Sequence, residues 1–165
     1  MDETPERIQV LQVLLHAQPL GVLSTCDRGG PHASLVAFAA SDDLREILFA
    51  TPRTTRKFAH LASNARGVLL VDNRTNTPAD FHRAVTVAAR GTVDEIPHEE
   101  KEAHLGLYLA RHPHLSDFVR APTCALMRLR VEGCTLVQRF QEVTEIRVDG
   151  FPRTRSSAAG NGITR

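Results

Sequence analysis

The sequence contains no Trp and only one Tyr, and aromatic residues make up 5% of its 165 residues. This scarcity argues against a single-stranded nucleic-acid site, because such sites stack bases on exposed aromatic rings. Neither sign of charge is in excess, since 20 Lys and Arg against 19 Asp and Glu leave a net charge of +1. The chain therefore has no general attraction for phosphate backbones or anionic lipids. We expect neither a nucleic acid nor a membrane as a partner.

Cysteines and long apolar runs are also scarce. The three cysteines, Cys26, Cys124 and Cys134, are too few and too widely spaced for a disulfide framework or a Cys-x-x-Cys site. No window approaches the ~18 uncharged apolar residues of a transmembrane helix. The acidic residues 1–6 do not resemble a signal peptide. These features predict a cytoplasmic protein.

The chain does have enough apolar material for one core. With 165 residues, of which 42% are hydrophobic, it is close to the usual size of a single domain. We predict that residues 1–150 form this domain and that residues 1–18 contain an N-terminal helix, which Thr4 and Pro5 begin. Residues 151–165 show no apolar periodicity and are predicted to be a disordered tail.

Short apolar segments separated by turn residues predict a mainly β, α+β fold. Connections this short favour antiparallel neighbours, because parallel strands need crossovers of about a dozen residues. We predict a turn at Glu132 and Gly133. Gly91 is predicted to mark a bulge or a close backbone approach. The second strand is expected to be buried on both faces. The predicted strands are Leu20–Thr25, Pro31–Ala40, Arg45–Thr51, Gly67–Asp72, Arg83–Val93, Met127–Val131 and Thr135–Phe140.

Helical patterns are inserted among these strands instead of alternating with them. One short helix is predicted over Thr54–Ser63, with His60 at its surface, and another begins at Pro97 and ends before Pro113. This order favours an antiparallel barrel with peripheral helices over a doubly wound sheet.

The segment from Phe49 to Lys57 ends a strand, begins a helix and concentrates polar and cationic groups. Three Thr and three cationic side chains lie within the seven residues 51–57. Free N–H groups at a helix start bind anions, and Arg binds phosphate with two hydrogen bonds. Cations at a helix start are otherwise disfavoured by the helix dipole. The segment predicts a phosphate site, with a solvated basic loop as the alternative.

Between Gly21 and Ile96 the chain reads, in order, GVLSTCDRGGPHASLVAFAA, ILFATPRTTRKFAHLASNARGVLLVD and VTVAARGTVDEI. In this order and spacing, the three stretches resemble the FMN-binding split-barrel superfamily related to pyridoxamine 5'-phosphate oxidase. The resemblance implies a six-stranded antiparallel split β-barrel, a homodimer, and FMN held in clefts between the subunits. It does not extend to the Trp- and Arg-rich segment with which the oxidase recognises pyridoxal phosphate.

The resemblance also implies roles for individual residues. Arg56 and Lys57 would meet the FMN phosphate, and Thr51 and Thr55 would donate hydroxyl groups to the phosphate or the ribityl chain. Thr86 falls where the oxidase has a polar strand residue near the flavin, and it would come from the partner subunit. The backbone positions implied beside the isoalloxazine ring are His32, Ala33, Ser34, Leu35 and Val36.

The later stretch YLARHPHLSDF is similar to the haem-utilisation branch of the same superfamily, which carries a His-Pro motif after its long helix. This similarity implies haem as an alternative cofactor, with a ligand from the segment His112-Pro113-His114. His98 and His104 lie on the same helix, but the four histidines do not match a metal-binding pattern.

Together, the residues and the resemblance predict a cytoplasmic, dimeric, FMN-dependent oxidoreductase that acts on a small molecule. The flavin would carry the hydride chemistry, and NAD(P)H is a candidate electron donor. Two alternatives stay open: a haem-binding or haem-degrading protein, and a non-enzymatic binding module without a cofactor.

Overall fold

The computed structural model describes residues 4–139 and 141–151. The helices are α1 Thr4–Ala17, α2 Arg56–Ser63, α3 Asp80–Arg83, α4 His98–Arg111 and α5 Ser116–Arg120. The strands are β1 Leu20–Asp27, β2 Gly30–Ala40, β3 Glu46–Pro52, β4 Arg66–Asp72, β5 Val85–Glu95, β6 Cys124–Gln138 and β7 Glu142–Arg147. Short 3-10 turns cover Pro113–Leu115 and Val148–Gly150. None of the described helices is long and apolar enough to cross a membrane.

The strands form one sheet in the order β3-β2-β1-β4-β5-β6-β7, and all neighbouring strands are antiparallel. Pairing of β3 with β6 closes the first six strands into a barrel, and β7 extends the sheet beyond β6. The predicted six-stranded antiparallel barrel with peripheral helices is therefore confirmed.

The barrel interior holds the main core, because alternate residues of each strand point inward. In β5, for example, Val87, Ala89 and Val93 are buried, whereas the non-glycine residues between them are only partly buried. Leu11 and other apolar residues of α1 belong to the same core. Phe151 is also buried there, although the sequence assigned it to the tail; the remainder of that predicted tail, residues 152–165, lies outside the described residues.

A smaller core lies outside the barrel, where α4 and α5 pack against the strands. Its members are Ala39, Leu48, Ile96, Leu105, Tyr108, Val119 and Leu126. Strand β2 is covered on both faces only near its end, because α4 contacts it at Ala37 and Phe38. Ala33 and Leu35 are exposed, so the expected burial of the whole second strand on both faces is wrong.

Strand β6 is continuous, so the turn predicted at Glu132 and Gly133 is wrong. The register between β5 and β6 shifts between Arg90 and Gly91, which makes Glu132 an extra residue in β6. The predicted irregularity at Gly91 is confirmed, since a Cβ atom there would lie 1.9 Å from the Arg130 carbonyl oxygen. A bulge bends a strand without ending it, and a Gly beside one resembles a turn signal in the sequence.

The seventh strand, β7, was not predicted. It pairs with β6 from Gln138↔Glu142 to Gly133↔Arg147. Only Ile146 of this strand is buried, so its sequence lacks the apolar alternation that identifies a strand. Phe140, the predicted end of the strand before it, lies outside the described residues.

Candidate functional site

Two threonines build the start of α2 at the end of β3. Thr51 is 1% exposed, and its hydroxyl lies 2.8 Å from that of Thr55. Thr55 is the N-cap: it accepts the Phe58 backbone N–H at 3.3 Å and donates to the Pro52 carbonyl at 3.0 Å. Both hydroxyl groups therefore hold the junction between strand and helix. The free N–H groups of the first helical turn follow directly after β3.

The protein neutralises one of the three cations in this segment. Arg53 pairs with Glu95 at 2.8 Å and lies 5.6 Å from the centre of the Phe58 ring. Arg56 is exposed and Lys57 is half-buried, and neither forms an ion pair with any residue in 4–139 or 141–151. The first turn of this fully described helix contains no acidic residue. Because the helix dipole repels cations here, a bound anion would relieve an unfavourable interaction.

Strand β2 has one open edge. Its pairing with β3 ends at Phe38↔Phe49, whereas its pairing with β1 continues to the hairpin turn. Alternate residues of β2 bond to β1, so the backbone groups of Ala33 and Leu35 point away from β1, toward the open side. If the pairing with β3 continued, Leu35 would lie opposite Pro52, which has no N–H to donate. The described ladder therefore leaves this part of β2 unpaired on the β3 side.

The side chains of His32, Ser34 and Val36 lie on the opposite face of β2 from those of Ala33 and Leu35. Val36 is buried on this face. The Ser34 hydroxyl oxygen is buried and has no hydrogen-bond partner in the described part of the chain. Buried hydroxyl groups without partners are rare in folded proteins. An unused hydrogen-bonding group thus lies beside the open edge.

His60 connects α2 to the hairpin, and its predicted place at the surface is wrong. It is 6% exposed, with Nδ1 3.3 Å from the Thr25 hydroxyl and Nε2 3.3 Å from the Asp27 carboxylate. Its ring also lies 5.7 Å from that of His32. The sequence has no local signal for these contacts, because Thr25 lies 35 residues away. They bring α2 beside the open half of β2.

Thr86 lies near the start of β5, at the opposite end of this strand from Glu95. It pairs with Asp72 and Val137 and stands nine residues before Glu95, the partner of Arg53. In the sheet, β1 and β4 lie between β5 and β2, so Thr86 and the predicted site residues of β2 lie three strands apart within one chain.

The four histidines of the α4 region do not form one site. His112 is 3% exposed, and its Nε2 donates to the Phe38 carbonyl at 2.8 Å, since a carbonyl only accepts. His104 bonds to the backbone of its own helix, and His98 and His114 are exposed. Among the described residues, no group of three or more His, Cys, Asp or Glu could hold a metal ion. The core uses His112, so His114 is the accessible histidine of the predicted haem motif.

One row of residues across the outer face of β2, β1, β4 and β5 is apolar. The strand registers place Leu35 beside Val22, Val22 beside Leu70, and Leu70 beside Ala88. The exposed large apolar residues of this face are Leu20, Leu35, Val68 and Leu70. A contiguous exposed row of this kind is typical of a surface that contacts another protein. The row begins at Leu35, on the open half of β2.

The closed antiparallel barrel with peripheral helices and an open β2 edge defines a split-barrel protein. Residues 9–138 match the model of the pyridoxamine 5'-phosphate oxidase family. This match covers most of the chain, and the protein belongs to that family. No curated protein is significantly similar to it in sequence.

Solved structures share the fold at low sequence identity. A haem-binding protein from Mycobacterium smegmatis has a TM-score of 0.77 and 14% identity, over 87% of this chain and 58% of that chain. A protein related to general stress protein 26, of the pyridoxinephosphate oxidase family, from Clostridium acetobutylicum has a TM-score of 0.69 and 14% identity, over 90% and 98%. An FAD-binding protein from Mesorhizobium loti has a TM-score of 0.60 and 18% identity, over 74% and 88%. The chain thus spans less than two thirds of the length of the Mycobacterium smegmatis protein.

Proposed function

We propose that the chain binds FMN at the junction of β3 and α2 and acts as a cytoplasmic, flavin-dependent oxidoreductase on a small molecule. The observation that carries the proposal is the pair Arg56 and Lys57, which lack ion-pair partners among the described residues at a helix N-terminus. A phosphate monoester would accept hydrogen bonds from both side chains and from the first-turn N–H groups. Thr51 and Thr55 hold this junction in shape.

The open half of β2 suits the flat ring of the cofactor. The backbone groups of Ala33 and Leu35 would bond to ring nitrogen and oxygen atoms, and Ser34 offers its hydroxyl. His32 and Val36 border this stretch. Ala33 is small enough to let a ring approach the backbone closely. When bound, the flavin supplies hydride or electron transfer, and NAD(P)H is a candidate electron donor.

A second copy of the chain completes the proposed site. The apolar row that contains Leu35 and Leu70 would be buried against that copy, which removes exposed apolar surface from water. The second copy would also supply Thr86, which lies three strands from β2 within one chain. This arrangement agrees with the homodimer that the family resemblance implies.

The test compares two flavins that differ only in the phosphate. Replacing Arg56→Ala and Lys57→Ala together should weaken FMN binding at least tenfold, about 1.4 kcal/mol, while riboflavin binding stays unchanged. Fluorescence titration of each flavin into the wild-type and variant proteins measures both dissociation constants. The control is the double variant Lys101→Ala and Arg120→Ala, which removes the same charge from α4 and α5.

An equal loss of both flavins, or no loss of FMN, would contradict the phosphate assignment. Absorption spectra of the wild-type protein with added FMN and with added hemin separate the other candidates. Binding of hemin alone would replace FMN by haem, for which His114 is the accessible ligand. Binding of neither would leave a module without a cofactor.

A further inference from the structure

Helix α2 is attached to the sheet at both of its ends. Its start is held on β3, where the hydroxyl groups of Thr51 and Thr55 lie 2.8 Å apart. Its second half is held on the end of β1. There His60 Nδ1 shares a hydrogen bond with the Thr25 hydroxyl at 3.3 Å, and Nε2 lies 3.3 Å from the Asp27 carboxylate. The helix therefore connects the ends of two strands that are not neighbours in the sheet.

The open half of β2 lies between those two strands. The pairing of β2 with β3 ends at Phe38↔Phe49, whereas its pairing with β1 continues to the hairpin turn. Thr25, which contacts α2 through His60, pairs with His32 in this open half. The described ladder thus joins the open half to β1 and not to β3. The position of α2 relative to the open edge therefore depends on how the helix is fixed to β1.

The burial of His60 makes this attachment costly to break. The side chain is 6% exposed, and its ring lies edge-on to that of His32, with 5.7 Å between the ring centres. Moving α2 away from the hairpin would leave buried nitrogen atoms without their polar partners, which is unfavourable. Asn64, at the end of α2, adds a hydrogen bond to the Cys26 carbonyl at 3.0 Å. The second half of α2 is therefore fixed on the hairpin.

His60 also lies beside the proposed phosphate site. It follows Arg56 by four residues and Lys57 by three, and residues at these spacings are neighbours on a helix surface. The proposed ring site, at Ala33 and Leu35, belongs to the hairpin that His60 contacts. One side chain thus links the helix that carries the phosphate donors to the hairpin that carries the ring site.

We propose that His60 is a positioning residue that sets the separation between the phosphate site at the start of α2 and the ring site on the open half of β2. The proposal rests on the proposed function for the identity of the cofactor. FMN carries its ring and its phosphate in one molecule, so it occupies both sites at once only when their separation fits. His60 does not contact the cofactor; it acts through the position of α2.

The experiment uses His60→Leu in the full chain, which removes both ring nitrogen atoms and keeps an apolar side chain in the buried position. Riboflavin measures the ring site, inorganic phosphate measures the phosphate site, and FMN measures both sites and their separation. We expect FMN binding to weaken at least about fivefold, while riboflavin and phosphate each keep their wild-type affinity within about twofold. Fluorescence titration measures the two flavins, and phosphorus NMR titration measures phosphate.

Two further variants separate the polar contacts of His60 from its packing. His60→Gln places an amide N–H near the former position of Nε2, and it should recover most of the FMN affinity that His60→Leu loses. Thr25→Val removes the hydroxyl partner from the β1 side with little change in shape, and it should weaken FMN binding more than riboflavin binding. An FMN affinity in His60→Gln as low as that in His60→Leu would overturn the role of the polar contacts.

The matched control is His112→Leu, because His112 is also buried and its Nε2 donates to the Phe38 carbonyl of β2 at 2.8 Å. Phe38 lies in the part of β2 that pairs with β3, so this variant should leave the ratio of FMN to riboflavin affinity unchanged. Equal weakening of FMN and riboflavin binding in His60→Leu would overturn the proposal, as would an unchanged FMN affinity.

The three probes also separate this proposal from the proposed function. Loss of FMN and phosphate binding together belongs to Arg56 and Lys57, whereas loss of FMN affinity with both of its parts still bound belongs to His60. A wild-type protein that binds FMN no more tightly than riboflavin would overturn the phosphate site and the role of His60 in cofactor binding. Faster amide hydrogen exchange in α2 of the unliganded His60→Leu variant would then show only that His60 holds the helix.

Discussion

The barrel has two irregular strand pairings, which we call seams: one between β5 and β6 and one between β2 and β3. The first remains paired past its irregularity, and the second does not. Between β5 and β6, the register shifts by one residue and the pairing then resumes as far as Glu95↔Met127. Between β2 and β3, the pairing stops after three residue pairs. The first seam stays closed, and the second leaves an exposed edge beside the predicted phosphate site.

The chemical difference between the seams is an absent Cβ atom in one and an absent backbone N–H in the other. Gly91 has no Cβ, so β6 can bring the Arg130 carbonyl to a position 1.9 Å from where that atom would lie. In the other seam, Pro52 would lie opposite Leu35 and has no N–H to donate. A sheet tolerates an irregularity when the backbones still meet, and pairing ends where a backbone donor is missing.

The largest expected effect on stability comes from adding a Cβ atom at Gly91, in the closed seam. Gly91→Ala forces a Cβ atom into the Arg130 carbonyl, and a backbone group cannot move aside as a flexible side chain can. We expect a loss of at least about 3 kcal/mol in the free energy of unfolding, measured by urea denaturation. Gly106→Ala is the control, since a Cβ at this α4 position would meet no described atom within 4 Å. That change should stabilise the protein by about 0.5 to 1 kcal/mol.

Alkaline pH should have the next largest effect on stability, because it deprotonates Tyr108, which lies beside the open seam. The phenol of Tyr108 has a pKa of about 12 in the folded protein, because of burial, against an ordinary value of 10.0. Between these values the folded state binds more protons than the unfolded state, so the free energy of unfolding falls as pH rises. The loss should reach roughly 2 kcal/mol by pH 12. The sequence has one Tyr, so phenol absorbance reports this group alone.

Tyr108→Phe provides the comparison for that pH dependence. The variant retains every other group that titrates at high pH, including the buried Cys134 thiol, whose pKa burial raises to about 12. Urea denaturation across the same pH range should show a smaller decline in the variant than in the wild type. Parallel declines in both proteins would contradict the assignment to Tyr108.

His112→Leu should have a smaller effect on stability. It leaves the Phe38 carbonyl buried without the donor that Pro19 cannot provide. We expect a loss of about 1 to 2 kcal/mol in the free energy of unfolding. Thermal and urea denaturation measure this loss, and an unchanged stability would show that the bond does not support β2.

The smallest effect is expected on the outer surface of the bulge. Arg66 donates to Glu132 at 2.6 Å, and both side chains are largely exposed. Exposed ion pairs contribute little to stability, so Arg66→Ala should leave the urea midpoint unchanged within error. The hydrogen bond from Arg66 holds the pKa of Glu132 below its usual value. The variant should raise that pKa, which a carboxyl NMR titration measures.

Local chemistry made some features of both seams predictable. Gly91 interrupts a β-rich segment, where a Gly indicates a bulge or a close approach, and this prediction was confirmed. Glu132 and Gly133 have the composition of a turn, yet β5 and β7 pair with β6 on both sides and keep it extended. The start of α2 was predicted near Thr54 and lies at Arg56, after the cap that Thr55 provides.

By itself, the sequence determined the order of β1 to β5 with α1, α2 and α4, the antiparallel barrel and the basic segment at the start of α2. These features depend on periodicity, turn residues and caps within a few positions of one another. Only the tertiary structure decided that Tyr108 meets Ala37, 71 residues away, and that His60 is buried against Thr25. Contacts between distant residues depend on strand register and on how helices pack across the barrel. The periodicity of a single segment does not specify either.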